Sequence, residues 1–216
     1  MNLLKKEFRL CLHPTAPLFL MLCTMILIPN YPYAVSFFYM TLGVFFICLT
    51  GRETHDAAFT AALPVSRKQM VHGRIGMVCC LELADIIAAA VMLWVKSLIG
   101  FTPNQAGMDA NIALLGEGFI LFGLFNLIFF PNWYKNINKV GVPFLLASAA
   151  VFVYILLAIV STYAVPFVRD CLDTQDPAHL PEKLLFIGAA LLFFTGATWL
   201  SERASGKRFA MVDLQL

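Results

Sequence analysis

The sequence predicts an all-α integral membrane protein, a single domain over residues 1–216 with six transmembrane helices. Hydrophobic residues account for 60% of the 216 residues, and Asp, Glu, Lys and Arg account for only 13%. The mean hydropathy is +0.80. One soluble core could not bury this much apolar surface. The apolar residues also fall in long runs separated by short polar segments, as in a chain that crosses a bilayer repeatedly.

The N-terminal segment, residues 1–14, predicts an amphipathic helix that lies in the cytoplasmic interface of the membrane and ends at Pro14. Its apolar stripe consists of Leu4, Phe8, Cys11 and Leu12. The charged residues largely off this stripe are Lys5, Lys6, Glu7 and Arg9. A small-residue cleavage site does not follow the next apolar run, so we expect this segment to stay in the mature chain.

Six apolar segments predict the membrane spans. The first, Ala16–Ile28, would cover only about 20 Å of a hydrocarbon core of about 30 Å, unless it thins the bilayer locally. It is still predicted to cross, because otherwise the basic N-terminal segment would lie outside. The other five are Tyr33–Thr50, Ile75–Ile99, Asn111–Phe130, Val140–Val165 and Leu184–Leu200.

The distribution of positive charge predicts the orientation. With six spans, all of the 15 Lys and Arg residues fall on the cytoplasmic side except Lys96, Arg169 and Lys183. Cytoplasmic segments of membrane proteins carry an excess of Lys and Arg. Both termini are therefore expected to be cytoplasmic, with residues 166–183 as the longest external loop and residues 201–216 as a cytoplasmic tail.

The loop between the second and third spans, Gly51–Arg74, is net basic and is therefore expected to be cytoplasmic. Its interior predicts a short helix over Asp56–Leu63. Asp56 or Thr54 could serve as the N-cap, and Pro64 would end the helix.

Motifs for enzymatic chemistry are missing from the sequence. Gly206-Lys207 lacks the earlier glycine and the hydroxyl residue of a phosphate-binding P-loop. Glu53, His55 and Asp56 fall in a solvated loop without the spacing of a metal site, and the cysteines suggest neither a disulfide pair nor a metal site. We therefore expect no catalysis, no metal site and no directly bound cofactor.

Polar residues within the predicted spans have two possible roles. Glu82 and Asp85 are three positions apart and share a helix face, and Glu117 and Asn126 bring similar polarity to the fourth span. These side chains could line a polar translocation seam or pair across a subunit interface. Alternatively, they could hydrogen-bond neighbouring helices and fix their packing.

The layout as a whole resembles the small permease subunits of bacterial ABC-2 type transporters. The likeness rests on the order of spans and on four segments: NLLKKEFRL at residues 2–10, NYPY at residues 30–33, the loop GRETHDAAFTAALPVSRKQMVHGR at residues 51–74, and SERASGKRFAMVDL at residues 201–214. Together with the spans, these segments cover nearly the full chain.

The resemblance implies an exporter subunit in a bacterial cytoplasmic membrane. In that family the loop after the second span carries a coupling helix that docks on a separate cytoplasmic ATPase, and two permease subunits form the pathway. The docking residues would be Asp56, Phe59, Leu63, Arg67 and Lys68. ATP and magnesium would be bound by the ATPase, and membrane lipid but not nucleic acid would be a partner. The N-terminal helix would match the elbow helix of such permeases.

Two other functions remain open. An ion- or proton-coupled carrier could use Glu82, Asp85 and Glu117 as a relay, although the sequence has no visible inverted repeat. A membrane sensor or immunity subunit could bind a peptide at residues 166–183 and transport nothing. The substrate of an exporter could be a lipid, an amphipathic peptide or an apolar drug.

Overall fold

The computed structural model describes residues 3–100 and 103–212, and within these ranges the chain is helical and contains no β-strand. The outermost residues of the predicted N-terminal helix and tail, 1–2 and 213–216, lie outside the described residues. The helices are α1 (Leu3–Leu10), α2 (Ala16–Met21), α3 (Ala34–Glu53), α4 (Asp56–Ala61), α5 (Arg67–Ile99), α6 (Ala113–Trp133), α7 (Gly141–Ala164) and α8 (Leu180–Phe209). A 3₁₀ segment, Leu22–Leu27, continues α2, and a π-helical turn, Val168–Leu172, follows α7.

Five of these helices are long and apolar enough to cross a membrane, namely α3, α5, α6, α7 and α8. They correspond to the second to sixth predicted spans, which confirms a multi-pass all-α membrane protein. The predicted first span is the shorter apolar segment Ala16–Leu27. This segment packs along the length of α5. Ala16 packs with Met77 near the start of α5, and the carbonyl of Ile26 accepts a hydrogen bond of 2.8 Å from Lys96 Nζ near its end. A count of six crossings stays a prediction.

Three helices differ in extent from the predicted segments. Helix α5 begins at Arg67, not Ile75, because Ser66 and Gln69 form a capping box that starts the helix just after Pro64. Helix α8 exceeds the predicted Leu184–Leu200 at both ends, so most of the described part of the predicted tail is helical. Helix α4 ends at Ala61, two residues earlier than predicted, and its N-cap is His55 in a left-handed conformation with φ of 52°.

The core lies around α6, which packs against α3, α5, α7 and α8. Phenylalanines fill its centre: the rings of Phe125 and Phe129 stack with centroids 5.0 Å apart, and Phe122 meets Phe37 of α3 edge-on at 5.9 Å. Close contact with α8 depends on Gly123, where an added Cβ would lie only 3.1 Å from the Cα of Phe194. Small residues therefore allow the central helices to approach closely, and aromatic rings fill the space between them.

The bundle has two chemically different ends. The end that contains α4, which we call the α4 end, also holds α1, the α6–α7 connection and the end of α8, where Arg208 Nη1 donates to the carbonyl of Pro131 at 2.6 Å. At the far end, Lys183 Nζ lies 2.7 Å from Asp176 Oδ1, and Asn111 Nδ2 donates to the carbonyl of Leu172 at 2.9 Å. These contacts tie the connections before α6 and α8 into one cap.

Candidate functional site

Four charged side chains from three helices meet at the α4 end, and we call them the ion cluster: Lys6 and Glu7 of α1, Asp56 of α4 and Arg74 of α5. Lys6 Nζ lies 2.5 Å from Asp56 Oδ1. Arg74 Nε lies 2.5 Å from Glu7 Oε2, and Arg74 Nη2 lies 2.5 Å from Asp56 Oδ2. The cluster therefore links the N-terminal helix, the short loop helix and the start of a long apolar helix.

The ion cluster is largely buried and balanced, with two cations and two anions. The side chains of Lys6, Glu7 and Arg74 are 7%, 4% and 6% exposed. Thr60 extends the network, because its hydroxyl accepts from Lys6 Nζ at 2.6 Å and donates to the Asp56 carbonyl at 2.8 Å. Removing one partner from such a network leaves an uncompensated buried charge, which is costly.

Glu7, Asp56 and Cys11 also place their possible metal-ligating atoms within 4.8 Å of one another. Lys6 and Arg74 already neutralise both carboxylates, so a metal ion would have to displace one of them. The arrangement therefore fits an ionic joint between helices better than a metal site.

The pKa values follow from this pairing. Burial alone would raise the pKa of Asp56, but the charges and hydrogen bonds of Arg74 and Lys6 outweigh it and hold the pKa below its ordinary value. For Lys6, burial would lower the pKa, but the hydrogen bond to Asp56 and the charges of Glu7 and Asp56 raise it above its ordinary value. Both groups are thus charged at physiological pH.

The five residues predicted to dock on an ATPase have different surroundings. Phe59 is 57% exposed, Lys68 is exposed and Leu63 is half-buried. The carboxylate of Asp56 faces inward into the ion cluster. Arg67 Nη1 donates to the carbonyl of Phe209 at 2.8 Å and also to the carbonyl of Val212, so it caps the end of α8. Their docking role stays a prediction, with Phe59 and Lys68 the freest to meet a partner.

A basic cleft of about 750 Å³ opens beside α4. Its walls come from the start of the α4 loop, from the α6–α7 connection and from the end of α8. The charged or titratable lining residues are Arg52, His55, Lys135 and Arg208, and carboxylates are missing from the described lining. Ala57 and Ala58 of α4 also line the cleft, so this basic surface borders the helix that carries Phe59 and suits an acidic partner.

Within the bundle, the structure joins two of the predicted polar residues and separates the other two. Asn126 Nδ2 donates to Glu82 Oε2 at 2.9 Å. Asp85 instead accepts a hydrogen bond from Cys23 Sγ at 3.0 Å, beside the 3₁₀ segment. Glu117 lies near the far end in a small cavity with Tyr33 and Met108. Glu82 and Asp85 therefore contact different elements although they are only three positions apart.

The sequence analysis missed Lys6, Glu7 and Arg74 as members of one cluster. It placed Lys6 and Glu7 on the outer, polar side of an interfacial helix, whereas both are buried and the apolar side chain of Leu10 is 67% exposed. The hydrophobic pattern of α1 gave no sign of this, because it predicts that apolar side chains are buried and charged ones exposed. A buried ion pair reverses that arrangement. The one available signal was that residues 6 and 74 are basic and residues 7 and 56 are acidic, so that they could pair.

A comparison with protein families now adds to this geometry. A family model described as "ABC-2 family transporter protein" matches residues 2–209. No curated protein and no solved structure matches the chain.

The matched region takes in α1, the ion cluster and the helices that follow, up to the last residue of α8. Membership of this family makes the chain a permease subunit of an ABC transporter, and such permeases work in general with an ABC ATPase. The apolar helices agree with a multi-pass membrane protein. The chain therefore belongs to the ABC-2 transporter family.

Proposed function

We propose that this permease exports its substrate when a separate cytoplasmic ATPase binds and hydrolyses ATP, and that α4 is the coupling helix on which the ATPase docks. The observation that carries the proposal is the exposed ring of Phe59 on a helix fixed by the ion cluster. A side chain that is 57% exposed on a helix of six residues suits insertion into a groove of a partner.

The ion cluster offers a mechanical route from α4 into the membrane. A displacement of α4 would pull on Asp56, whose carboxylate contacts Arg74 of α5 and Lys6 of α1. Helix α5 continues from Arg74 to Ile99, so its movement would reach the far end of the bundle. A short, charge-paired contact transmits displacement better than a solvated loop, because its partners cannot separate without exposing buried charges.

The remaining parts of the proposal follow the family. A second permease subunit, identical or homologous, would complete the pathway, and ATP and magnesium would bind to the ATPase. The protein would lie in a bacterial cytoplasmic membrane with the α4 end and both termini in the cytoplasm, in keeping with the excess of Lys and Arg at that end. Its substrate would be a peptide, a lipid or an apolar drug.

The carrier hypothesis loses support from the separation of its carboxylates. A relay needs all three groups in one series, but Glu117 lies apart on α6 near Tyr33 and Met108, and Glu82 and Asp85 hydrogen-bond Asn126 and Cys23 instead of each other. In the external loop, the ion pair of Asp176 with Lys183 holds the segment before α8 in the cap, while Arg169 and Asp170 are exposed and pair with each other. We therefore favour the exporter.

The experiment that tests the proposal is purification of the tagged permease from its native membrane, followed by photolabelling with an ATP analogue. An ATP-labelled subunit should co-purify with the wild type and be lost from Phe59→Ala. The matched control is Leu10→Ala, which removes an exposed apolar side chain from α1 at the same end. It should retain the ATPase.

Each outcome has a definite meaning. Loss of the ATPase from Phe59→Ala alone, with an unchanged melting temperature, supports docking on α4. An ATPase that stays bound and active in Phe59→Ala would contradict the docking role. A wild-type protein that purifies without any nucleotide-binding partner would contradict the exporter hypothesis itself.

A further inference from the structure

Two buried oxygen atoms in the middle of the bundle face no hydrogen-bond donor. They are Oε1 of Glu82 and Oδ1 of Asn126. The two residues are 1% and 0% exposed, so water does not reach them from the surface. A buried carboxylate or amide oxygen without a donor destabilises the fold, and more so when the group is charged. With Glu82 ionised, the pair is therefore short of one donor.

The other atoms of the pair are satisfied. Asn126 Nδ2 donates to Glu82 Oε2 at 2.9 Å and to Thr198 Oγ1 at 3.3 Å. Ser201 Oγ donates to the backbone carbonyl of Asn126 at 2.6 Å. These contacts fix the amide so that its nitrogen points at Glu82, which leaves its oxygen as an acceptor. The orientation of Asn126 is thus set by α8 as well as by α5.

Positive charge does not compensate Glu82. Among the described residues, its carboxylate forms no ion pair. The titratable groups that act on it electrostatically or lie beside it are Asp85 and Cys79, both on α5 and both acids. Glu202 of α8 is paired with His72 at 3.0 Å. Glu82 also lies about 12 Å along α5 from Arg74, which places it well inside the apolar part of the bundle.

We propose that Glu82 binds a proton and forms a cyclic acid–amide pair with Asn126. The protonated Oε1 donates to Asn126 Oδ1, while Asn126 Nδ2 donates to Glu82 Oε2. One proton then supplies the donor that both unsatisfied oxygens lack. A carboxylic acid and a primary amide each present one donor and one acceptor side by side, so the two groups match.

The proton removes the charge from the middle of the bundle and leaves a neutral bridge between α5 and α6. Thr198 and Ser201 extend that bridge to α8. This assignment does not depend on the exporter proposal, since it concerns how three helices are held together. Glu82 stays protonated in this assignment and does not pass its proton along a relay.

A monovalent cation is the other species that could satisfy the same oxygens. Sodium binds carboxylate, amide and hydroxyl oxygens, and Glu82, Asn126 and Thr198 supply one of each. In that case Glu82 would be ionised. The two ligands therefore predict opposite charge states for one side chain, which an experiment can separate.

The test is infrared spectroscopy of the purified full-length protein, wild type against Glu82→Gln, in H₂O and in D₂O. The wild type should show the carbonyl band of a protonated carboxylic acid, shifted in D₂O and missing from Glu82→Gln. Asp85 and Glu117 are present in both samples, so the difference spectrum isolates Glu82. The control Glu53→Gln removes an exposed carboxylate and should lose only carboxylate bands.

Thermal unfolding supplies the second measurement. Gln can make both hydrogen bonds of the acid with Asn126, so Glu82→Gln should retain the wild-type melting temperature, whereas Glu82→Ala should lower it. The exchanged variant, Glu82→Gln with Asn126→Asp, should restore an acid band from position 126. Replacing sodium with choline should leave the melting temperature unchanged in both the wild type and Glu82→Gln.

Three results would overturn the proposal. One is a difference spectrum that contains only carboxylate bands. Another is a melting temperature that rises with sodium in the wild type but not in Glu82→Gln. The third is an exchanged variant without an acid band, which would decide the matter even if Glu82→Gln alone failed to fold.

Discussion

Arg74 Nη2 lies 2.5 Å from Asp56 Oδ2, and this contact joins the first residue of α4 to the third turn of α5. The same guanidinium holds Glu7 through Nε, and its carbon lies 5.9 Å from the ring centroid of Trp133 on α6. The backbone leaves room for it, because a Cβ on Gly51 would lie 3.3 Å from Arg74 Nη1. One planar, multidentate cation thus orients three elements, which a lysine could not do.

Arg74→Met should destabilise the protein strongly. The variant keeps the apolar length of the side chain but leaves Glu7 and Asp56 with Lys6 as the one cation in their cluster. Removing one partner of a buried ion pair costs about 3–5 kcal/mol, because the remaining charge stays desolvated. The free energy of unfolding, measured by titration with a denaturing detergent, should fall by this amount.

The matched control is Arg52→Met, in the last turn of α3 at the same end of the bundle. Arg52 pairs with Glu53 at 3.5 Å, and their side chains are 39% and 63% exposed. Exposed pairs of this kind contribute about 0–1 kcal/mol. If Arg74→Met were no more harmful than Arg52→Met, the ion cluster would not be holding α4 in place.

The pairing of Asp56 predicts a plateau in stability against pH. Its pKa is held below the ordinary value of 3.8, so its contribution is present above that value and is lost as the pH falls through the lower folded-state pKa. The pKa of Lys6 is raised above 10.5, so its contribution is present below that value and is lost as the pH rises through the higher folded-state pKa. Between these limits neither group should change charge.

The measurement is the difference in melting temperature between the wild type and Asp56→Asn. Lys6 stays charged in both proteins from neutral to acidic pH, and titrating groups remote from Asp56 are common to both. On the acid side the difference should be constant from neutral pH downward and shrink only below the ordinary pKa of an aspartate. A difference that already shrinks between neutral and mildly acidic pH would mean that Asp56 is not paired as described.

The five long apolar spans were predictable because each is long enough to cross a membrane and is separated from the next by a charged or proline-rich segment. Helix α5 shows the limit of that argument. Its hydrophobic part begins at Ile75, but the helix begins at Arg67 because Ser66 and Gln69 cap it. That capping box, S-x-x-Q, is a local signal and could have been read from the sequence.

The ion cluster could not have been predicted in the same way. Lys6 and Asp56 are 50 positions apart, and their contact depends on how α1 folds back on α5. Hydrophobic periodicity places charged residues on the outer face of a helix, so it predicts the wrong face for Lys6 and Glu7. The pairing of Glu82 with Asn126 is intermediate: the depth of both residues was predictable, but the choice of Asn126 over Asp85 as the partner was not.

Gly116→Ala should destabilise the contact between α6 and α8. An added Cβ would lie 2.6 Å from Cε1 of Phe186, which is closer than carbon atoms pack. The ring must therefore move, and overpacking of this kind costs about 1–3 kcal/mol. The melting temperature should fall, and it should recover in the double variant Gly116→Ala with Phe186→Leu.

Gly196→Ala is the control for this substitution. Gly196 is also in a long helix, but a Cβ there would have open space within 4 Å. Alanine is favoured over glycine inside a helix by about 0.5–1 kcal/mol, so this variant should be neutral or slightly more stable. Equal destabilisation by both substitutions would indicate a general effect of alanine and not the contact with Phe186.

Cys171 provides a test of orientation that uses the native chain. It lies half-buried in the connection between α7 and α8 at the far end, whereas Cys11, Cys23 and Cys48 are buried and Cys79 and Cys80 lie within α5. A charged maleimide that does not cross membranes should therefore label Cys171 in intact cells, because the charge distribution predicts that this end lies outside. Labelling should disappear in Cys171→Ser.

The matched position at the α4 end is Asn136, in the connection between α6 and α7. In a Cys171→Ser background, Asn136→Cys should be labelled only after the membrane is permeabilised, since this end is expected in the cytoplasm. The reverse pattern, with position 136 labelled in intact cells and Cys171 protected, would show that the protein has the opposite orientation in the membrane. The basic cleft and Phe59 would then face away from any cytoplasmic ATPase, and the coupling role of α4 would be excluded together with the predicted orientation.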